Sequence, residues 1–267
     1  MHILVNTKEQ ISALISSEYN VDRVYVETGS FWDDPDILDL LKDRNVYLAC
    51  PHILRENDKQ LLDKALRSFD FDGILVRTLE ELSFIENSND HKIKDIVLDS
   101  SMYILNSEAL DFYLDTFKEN ITEYYMSYEL NRKEIRTLVQ NVSKKNNNIH
   151  QSLVSYGRIP MMVSSNCTKK TLDNCNKKRE FTSLMDRTNT YFPVFSNCLF
   201  CHNVIYNSVP LSLHGYKEDF DEFDNIRLDF TNESYDKTLN ILELYNSLTD
   251  VKTDFEYTTG HYKRGIE

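Results

Sequence analysis

Short apolar runs recur along the chain at residues 3–5, 24–26, 46–49, 74–76, 96–98, 124–126, 153–156 and 226–228. Each is rich in β-branched or aromatic residues and too short for a buried helix, so each reads as a strand. Between the runs, apolar residues return at three- and four-residue spacing. Ile11, Leu14 and Ile15 share one helical face, as do Leu61, Leu62, Ala65, Leu66 and Phe69. Ile135, Leu138, Val139 and Val142 repeat the spacing, and so do Leu239, Leu242, Tyr245 and Leu248. Several of these stretches open with the spacing of a capping box: Thr7 with Gln10, Asn57 with Gln60, Thr78 with Glu81, Asn131 with Glu134. A strand, a short polar turn and a capped helix make a βα unit. Eight such units predict an α/β fold, a closed parallel (β/α)8 TIM-like barrel. An open doubly wound sheet is the rival, but the Gly-x-Gly-x-x-Gly turn that would support it is missing.

One interval breaks the rhythm. From about 160 to 213 no helical period is visible. Leu184-Met185-Asp186-Arg187, a Thr188-Asn189-Thr190 turn and Tyr191-Phe192-Pro193-Val194-Phe195 read there as a β-hairpin. An insertion after the seventh strand of a parallel barrel emerges at the C-terminal mouth, where active sites are built. Residues 1–267 are therefore expected to form a single barrel domain with this insertion inside it. The polar stretch 141–151 reads as a solvated connection.

Composition narrows the partners. Hydrophobic residues make up 41% and charged residues 27% of the 267, enough for a substantial core. Lys and Arg number 30 against 43 Asp and Glu, a net charge of −13, which disfavours RNA or another polyanion while leaving room for a local basic pocket. No apolar run approaches a membrane span and the first residues lack an export signal, so a cytoplasmic location is expected.

A reducing compartment changes the meaning of the five cysteines, because a disulfide framework is a poor reading there. Four of them fall in one window, Cys167-x7-Cys175-x22-Cys198-x2-Cys201. Four thiolates hold either a tetrahedral zinc ion or a [4Fe–4S] cluster, and spacing alone does not separate the two. Free thiols packed in loops are the plain alternative. Cys198-Leu199-Phe200-Cys201-His202 also has the form of a c-type haem attachment site, a chemistry that normally requires export. Cys50, at the end of the third strand, is a buried small residue, an alternate fourth ligand or a catalytic thiol.

Polar residues at strand ends are the next candidates: Glu27, Asp99, Glu129, Tyr156 and Arg158, with Asn106 just past the fifth strand. Asp99 and Glu129 are a candidate acid/base pair, and Arg158 a candidate clamp for a carboxylate or phosphate. The glycine-bearing terminal string 257–266 points to a segment packed back near the site, with His261 and Arg264 as ligand contacts. Capping, solvated loops and an ordinary exposed terminus are the competing explanations. No Gly-x-Ser-x-Gly, His-Glu-x-x-His or P-loop motif is present.

Several separated strings, in order, resemble one family. They are Tyr156-Gly157-Arg158-Ile159-Pro160-Met161-Met162-Val163 leading to Cys167, Leu184-Met185-Asp186-Arg187 leading to Tyr191-Phe192-Pro193-Val194, Asn207-Ser208-Val209-Pro210-Leu211, and Thr259-Gly260-His261-Tyr262-Lys263-Arg264-Gly265. With Val46-Tyr47-Leu48-Ala49-Cys50-Pro51 and Tyr128-Glu129-Leu130-Asn131, they look like the later part of the longer collagenase-like peptidases of family 32 of the U class. That resemblance implies two activities. Members are labelled proteases. Relatives act in oxygen-independent hydroxylation of tRNA or ribosomal RNA bases or of the ubiquinone ring, several with a [4Fe–4S] cluster on four cysteines. Some take the oxygen atom from prephenate, and some work as pairs of paralogues. The resemblance therefore implies a cluster on Cys167, Cys175, Cys198 and Cys201. It also implies a small anionic co-substrate near Arg158, His261 and Arg264, and a paralogous barrel subunit as a possible partner. Family members usually carry a third cysteine ahead of the Asp-Arg hairpin. Here Cys198 and Cys201 both follow it, which leaves Cys50 as a possible substitute. A non-catalytic partner subunit is the reading if no cluster is held.

Overall fold

The computed structural model describes residues 1–34, 36–87, 93–117, 120–145, 148–172, 175–247 and 253–264. Eight parallel strands close a barrel. They are β1 (His2–Val5), β2 (Arg23–Glu27), β3 (Val46–Ala49), β4 (Gly73–Val76), β5 (Asp95–Leu98), β6 (Ile121–Tyr125), β7 (His150–Gly157) and, after an insertion, β13 (Asn225–Asp229). The circle closes because β7 pairs in parallel with both β6 and β13, and β13 with β1. The helices α1 (Lys8–Ser16), α2 (Ser30–Asp33), α3 (Asp36–Asp39), α4 (Lys59–Leu66), α5 (Leu79–Glu86), α6 (Ser107–Thr116) and α7 (Arg132–Lys145) lie between successive strands. A four-residue helix α8 (Thr168–Thr171) lies in the insertion, and α9 (Tyr235–Asn246) follows β13. Among the described residues no helix is long and apolar enough to cross a membrane.

Alternation along each strand divides the core in two. Ile3, Val24, Val26, Leu48, Ile74, Ile96 and Leu98 belong to the large cluster that meets the helices. Their neighbours Leu4, Tyr25, Tyr47, Leu75, Val97, Tyr125 and Val154 form a second cluster inside the barrel. Strands buried on both faces read as continuous apolar runs, which is why the sequence shows them so plainly. The interior tyrosines need room: a Cβ on Gly73 would stand 2.2 Å from the Tyr47 ring, so only glycine fits beneath it. At the floor of the barrel, buried Glu123 accepts from Arg23, Ser152 and Asn225.

Three of the four expected capping boxes form as spaced. Gln10 and Glu81 reach back to the Thr7 and Thr78 backbones, and Asn131 accepts from Glu134 N at 3.1 Å. The fourth shifts. A 3-10 turn over Glu56–Asp58 precedes α4, and Asp58, not Gln60, closes back on the Arg55 N–H. The 141–151 stretch is also different from its expected form. Helix α7 runs on to Lys145, because Val142 continues its buried face, and β7 already starts at His150. Leu248, Asn174 and Gly265 lie outside the described residues.

The insertion is larger than a hairpin. The expected pair is β9 (Glu180–Met185) and β10 (Tyr191–Asn197), joined by a turn in which Asp186 accepts from the Thr188 and Thr190 N–H groups. Two more strands, β8 (Pro160–Ser164) and β11 (His202–Tyr206), complete an antiparallel sheet in the order β8-β11-β10-β9. The short β12 (Leu211–Ser212) then returns antiparallel along the end of β7.

Candidate active site at the barrel mouth

The upper rim of the barrel carries five charges in alternation, the buried Glu27, Arg77, Asp99 and Arg227 and the partly buried Asp229. Glu27 ends β2, Arg77 and Asp99 directly follow β4 and β5, and the last two stand on β13. Each continues the inward-facing register of its strand, so the barrel geometry brings them together. Arg77 donates through Nη1 and Nη2 to the two Glu27 oxygens at 2.8 and 2.6 Å, and through Nε to Asp99 at 2.9 Å. Arg227 donates through Nη2 to Asp99 at 2.8 Å and to Asp229 at 2.9 Å, with Nε on Asp229 at 2.6 Å. Its guanidinium lies 4.0 Å from the centre of the Tyr125 ring below.

Such charges survive burial only when paired and hydrogen-bonded. Burial alone would push the Asp99 carboxyl up, but Arg227 and Arg77 outweigh it and hold Asp99 far below the usual carboxylate range. At Asp229, burial outweighs the pull of Arg227 and the carboxyl is raised. Asp99 is thus a fixed anion, unsuited to deliver a proton in an acid/base pair. The close approach of β7 to β13 depends on Gly157: its φ is +144°, and a Cβ there would lie 2.7 Å from the Asp229 Cβ.

Above this layer opens a pocket of about 810 Å³, part of it open to solvent. Its walls include Ser127, Tyr128, Glu129 and Arg158 from the barrel, with Val163 and Tyr206 from the insertion. The small sheet therefore forms one side of the mouth. Arg158 spends Nη1 on the carbonyls of Asn207 and Ser208, while its buried Nε has no hydrogen-bond partner. That leaves a donor edge for a carboxylate or phosphate.

The sequence candidates divide by position. Glu27, Asp99, Glu129 and Arg158 line this pocket. Asn106 does not: it caps α6, accepting from Ala109 N at 2.9 Å. Tyr156 turns outward and donates to Glu233 at 3.0 Å. His261 lies behind the wall, 3.8 Å from Glu129, in a smaller cavity, and Arg264 is exposed. Sequence reasoning missed Arg77, Arg227, Asp229 and His52, all but Arg227 in the pocket lining. Period-two counting points to Arg77, which sits two residues after the inward Leu75; β13 has no inward apolar residue to start such a count for Arg227 and Asp229.

The cysteines separate as well. Cys50 is buried in the core between barrel and helices, where burial pushes its thiol up, and its carbonyl accepts from Arg77 at 2.7 Å. Cys167 is buried, Cys198 half-buried, and Cys175 and Cys201 exposed; burial pushes the Cys198 thiol up, and its Sγ donates to the Lys178 carbonyl at 2.9 Å. Among the described residues no three His, Cys, Asp or Glu side chains stand ready to hold one metal ion. Ligation of one centre by all four therefore requires these side chains to rearrange.

The surroundings fit a polar inorganic centre. The buried Ser196 Oγ and Asn203 Oδ1 have no hydrogen-bond partner. Ser196 and Asn203 face each other across β10 and β11, and Asn203 donates to the carbonyl of Asn166, next to Cys167. Buried polar atoms without partners are uncommon, and the sulfur atoms of such a centre would accept from the Ser196 hydroxyl, while Asn203 Oδ1 needs a donor. The group adjoins the mouth. Arg55 donates to the Phe200 and Cys201 carbonyls, the His202 ring meets the pocket-lining His52 ring at 6.4 Å between centres, and Arg179 ties the insertion to the Asn6 carbonyl.

No family model matches the chain, and no curated protein does. Among solved structures the chain is similar to an uncharacterized B. cereus protein, with a TM-score of 0.47 and 11% sequence identity. The match covers 93% of this chain and spans 65% of that protein's length. The fold and site define a (β/α)8 barrel with a polar pocket at its C-terminal mouth and, beside it, a small sheet whose connecting loops carry the cysteines.

Proposed function

We propose that this protein is an iron–sulfur enzyme of oxygen-independent hydroxylation, acting on an aromatic or nucleobase substrate at the barrel mouth. The observation that supports the reading is a pocket lined by paired charges at the barrel mouth, beside an insertion whose loops carry Cys167, Cys175, Cys198 and Cys201. Cys167, Cys175, Cys198 and Cys201 would hold the [4Fe–4S] cluster, which when bound supplies electron transfer or Lewis acidity. Arg158 holds the carboxylate of a small anionic co-substrate, and Tyr128 and Tyr206 flank an aromatic ring. The Glu27–Arg77–Asp99–Arg227–Asp229 chain fixes the field over the reacting groups without reorganising. The oxygen atom comes from a hydroxylated co-substrate, which is reduced by two electrons as a C–H bond of the substrate becomes C–OH. The resemblance to the U-class family 32 proteins supports the same reading.

The peptidase alternative finds less support. The described residues lining the pocket include no hydroxyl bonded to a histidine. The Ser212 hydroxyl that bonds His214 at 2.8 Å is buried outside the pocket. Anaerobic reconstitution of single Cys→Ser variants tests the proposal. Substitution at Cys167, Cys175, Cys198 or Cys201 is expected to lower bound iron and sulfide, while Cys50→Ser loads like the parent. Equal loading of all five variants, or binding of zinc alone, would contradict it.

A further inference from the structure

The charges at the barrel mouth do not balance residue by residue. Arg77 answers Glu27 with both terminal nitrogens. Asp99 accepts from Arg77, from Arg227 and from the Ser100 N–H. Asp229 is less well served. Among the described residues it accepts only from Arg227, which it shares with Asp99. Its side chain is 17% exposed, against 6% for Asp99 and 10% for Glu27, so of the three carboxylates it is the one a ligand in the pocket meets. Burial raises its carboxyl even against Arg227, as expected of an anion with too little positive charge around it.

The opposite surplus stands on the next strand. Gly157 of β7 is the register partner of Asp229 on β13, and Arg158 follows Gly157 directly. Arg158 gives Nη1 to the neutral carbonyls of Asn207 and Ser208, and its buried Nε has no hydrogen-bond partner. Among the described residues no carboxylate is paired with Arg158, Asp229 included. A cation and an anion thus line one pocket from adjacent strand ends without neutralising each other. A ligand that carries both charges close together complements them.

We propose that the mouth pocket binds an amino acid as its zwitterion, the carboxylate on Arg158 and the ammonium group on Asp229. The charge around the mouth favours this over a plain carboxylate. Glu27, Asp99, Glu129 and Asp229 outnumber Arg77, Arg158 and Arg227 by one, so a simple anion enters a site already negative, whereas a zwitterion adds no net charge. A hydroxyl in place of the ammonium offers Asp229 a donor but no compensating charge, and hydrogen bonds between two ionised groups are the stronger ones. The inference rests on the proposed function for the carboxylate contact at Arg158, and the cluster plays no part in it.

Titration calorimetry on the full chain tests this with four probes that share a ring able to rest on Pro160 and Val163 in the pocket wall. L-phenylalanine should bind roughly tenfold or more tighter than phenylpropanoate, which lacks the ammonium, and than phenethylamine, which lacks the carboxylate. The same margin is expected over phenyllactate, which has a hydroxyl where the ammonium stood. Asp229→Asn should bring phenylalanine down to the level of phenylpropanoate, and Arg158→Gln down to that of phenethylamine. The ranking of the probes on the unaltered chain depends on no variant folding. Equal binding of phenylalanine and phenylpropanoate overturns the proposal, as does tighter binding of phenyllactate, or no binding of any probe at millimolar concentration. Protein without iron or sulfide that still ranks the probes as expected removes the hydroxylation reading and upholds the amino-acid site. Cluster-bearing protein indifferent to the ammonium does the reverse.

Discussion

Arg227 donates to Asp99 at 2.8 Å, and the same carboxylate accepts from Arg77 at 2.9 Å. One buried anion therefore links the ends of β4 and β5 to β13, across the mouth of the barrel. Replacing Asp99 by Asn keeps the shape and removes the charge between two buried guanidinium groups. Breaking a buried pair in this way costs about 3–5 kcal/mol. Urea denaturation of Asp99→Asn should show a loss of that order. A loss under about 1 kcal/mol, the range of exposed ion pairs, would mean that the chain of charges is not the framework of the mouth.

Glu81 gives the fold a pH dependence of unusual sign. Burial drives its carboxyl from 4.5 up to about 8, even though it accepts from the N–H groups of Arg77 and Thr78. Between those two values the native state holds a proton that the unfolded chain has released. Stability contributed here is full below the unfolded value and is lost as pH rises through the folded one. Glu81→Gln retains the oxygen acceptor and cannot titrate. Denaturation midpoints followed from pH 4.5 to 8 should therefore fall more steeply for the parent than for the variant. Parallel curves for the two proteins would exclude a protonated Glu81.

Asn106 separates structure from ligand binding. Its side chain caps α6 and does not line the mouth pocket. Asn106→Ala should lower stability by about 1 kcal/mol, the usual worth of such a cap. Calorimetric titration of the pocket with a small aromatic carboxylate should give the same affinity for parent and variant, whereas Arg158→Ala should weaken it by tenfold or more, as expected when a charge-assisted bond is lost. Weakened binding in Asn106→Ala would return the residue to the site.

The barrel was legible because its strands are buried on both faces, so that runs such as residues 74–76 and 96–98 stand out from the amphipathic helices. Capping boxes marked the helix starts at Thr7, Thr78 and Asn131, where a side chain settles the local backbone. The Arg55–Asp58 turn was missed because a 3-10 start shifts the spacing by two residues. The mouth was only half visible. Asp99, Glu27, Glu129 and Arg158 announced themselves as polar residues at strand ends. Arg77 and Arg227 did not, because an arginine near a strand end looks like a solvated terminus until closure of the sheet brings its carboxylates around it. The insertion was harder still. Its strands β8 and β11 meet across roughly forty residues, and no local pattern records a pairing made at that range.

Analysis of iron and acid-labile sulfide in protein purified under strict anoxia tests the central claim most directly. Protein with a broad brown absorbance and iron and sulfide in equal amounts, about four of each per chain, is the predicted result. Colourless protein, or one zinc per chain with no sulfide, would contradict it.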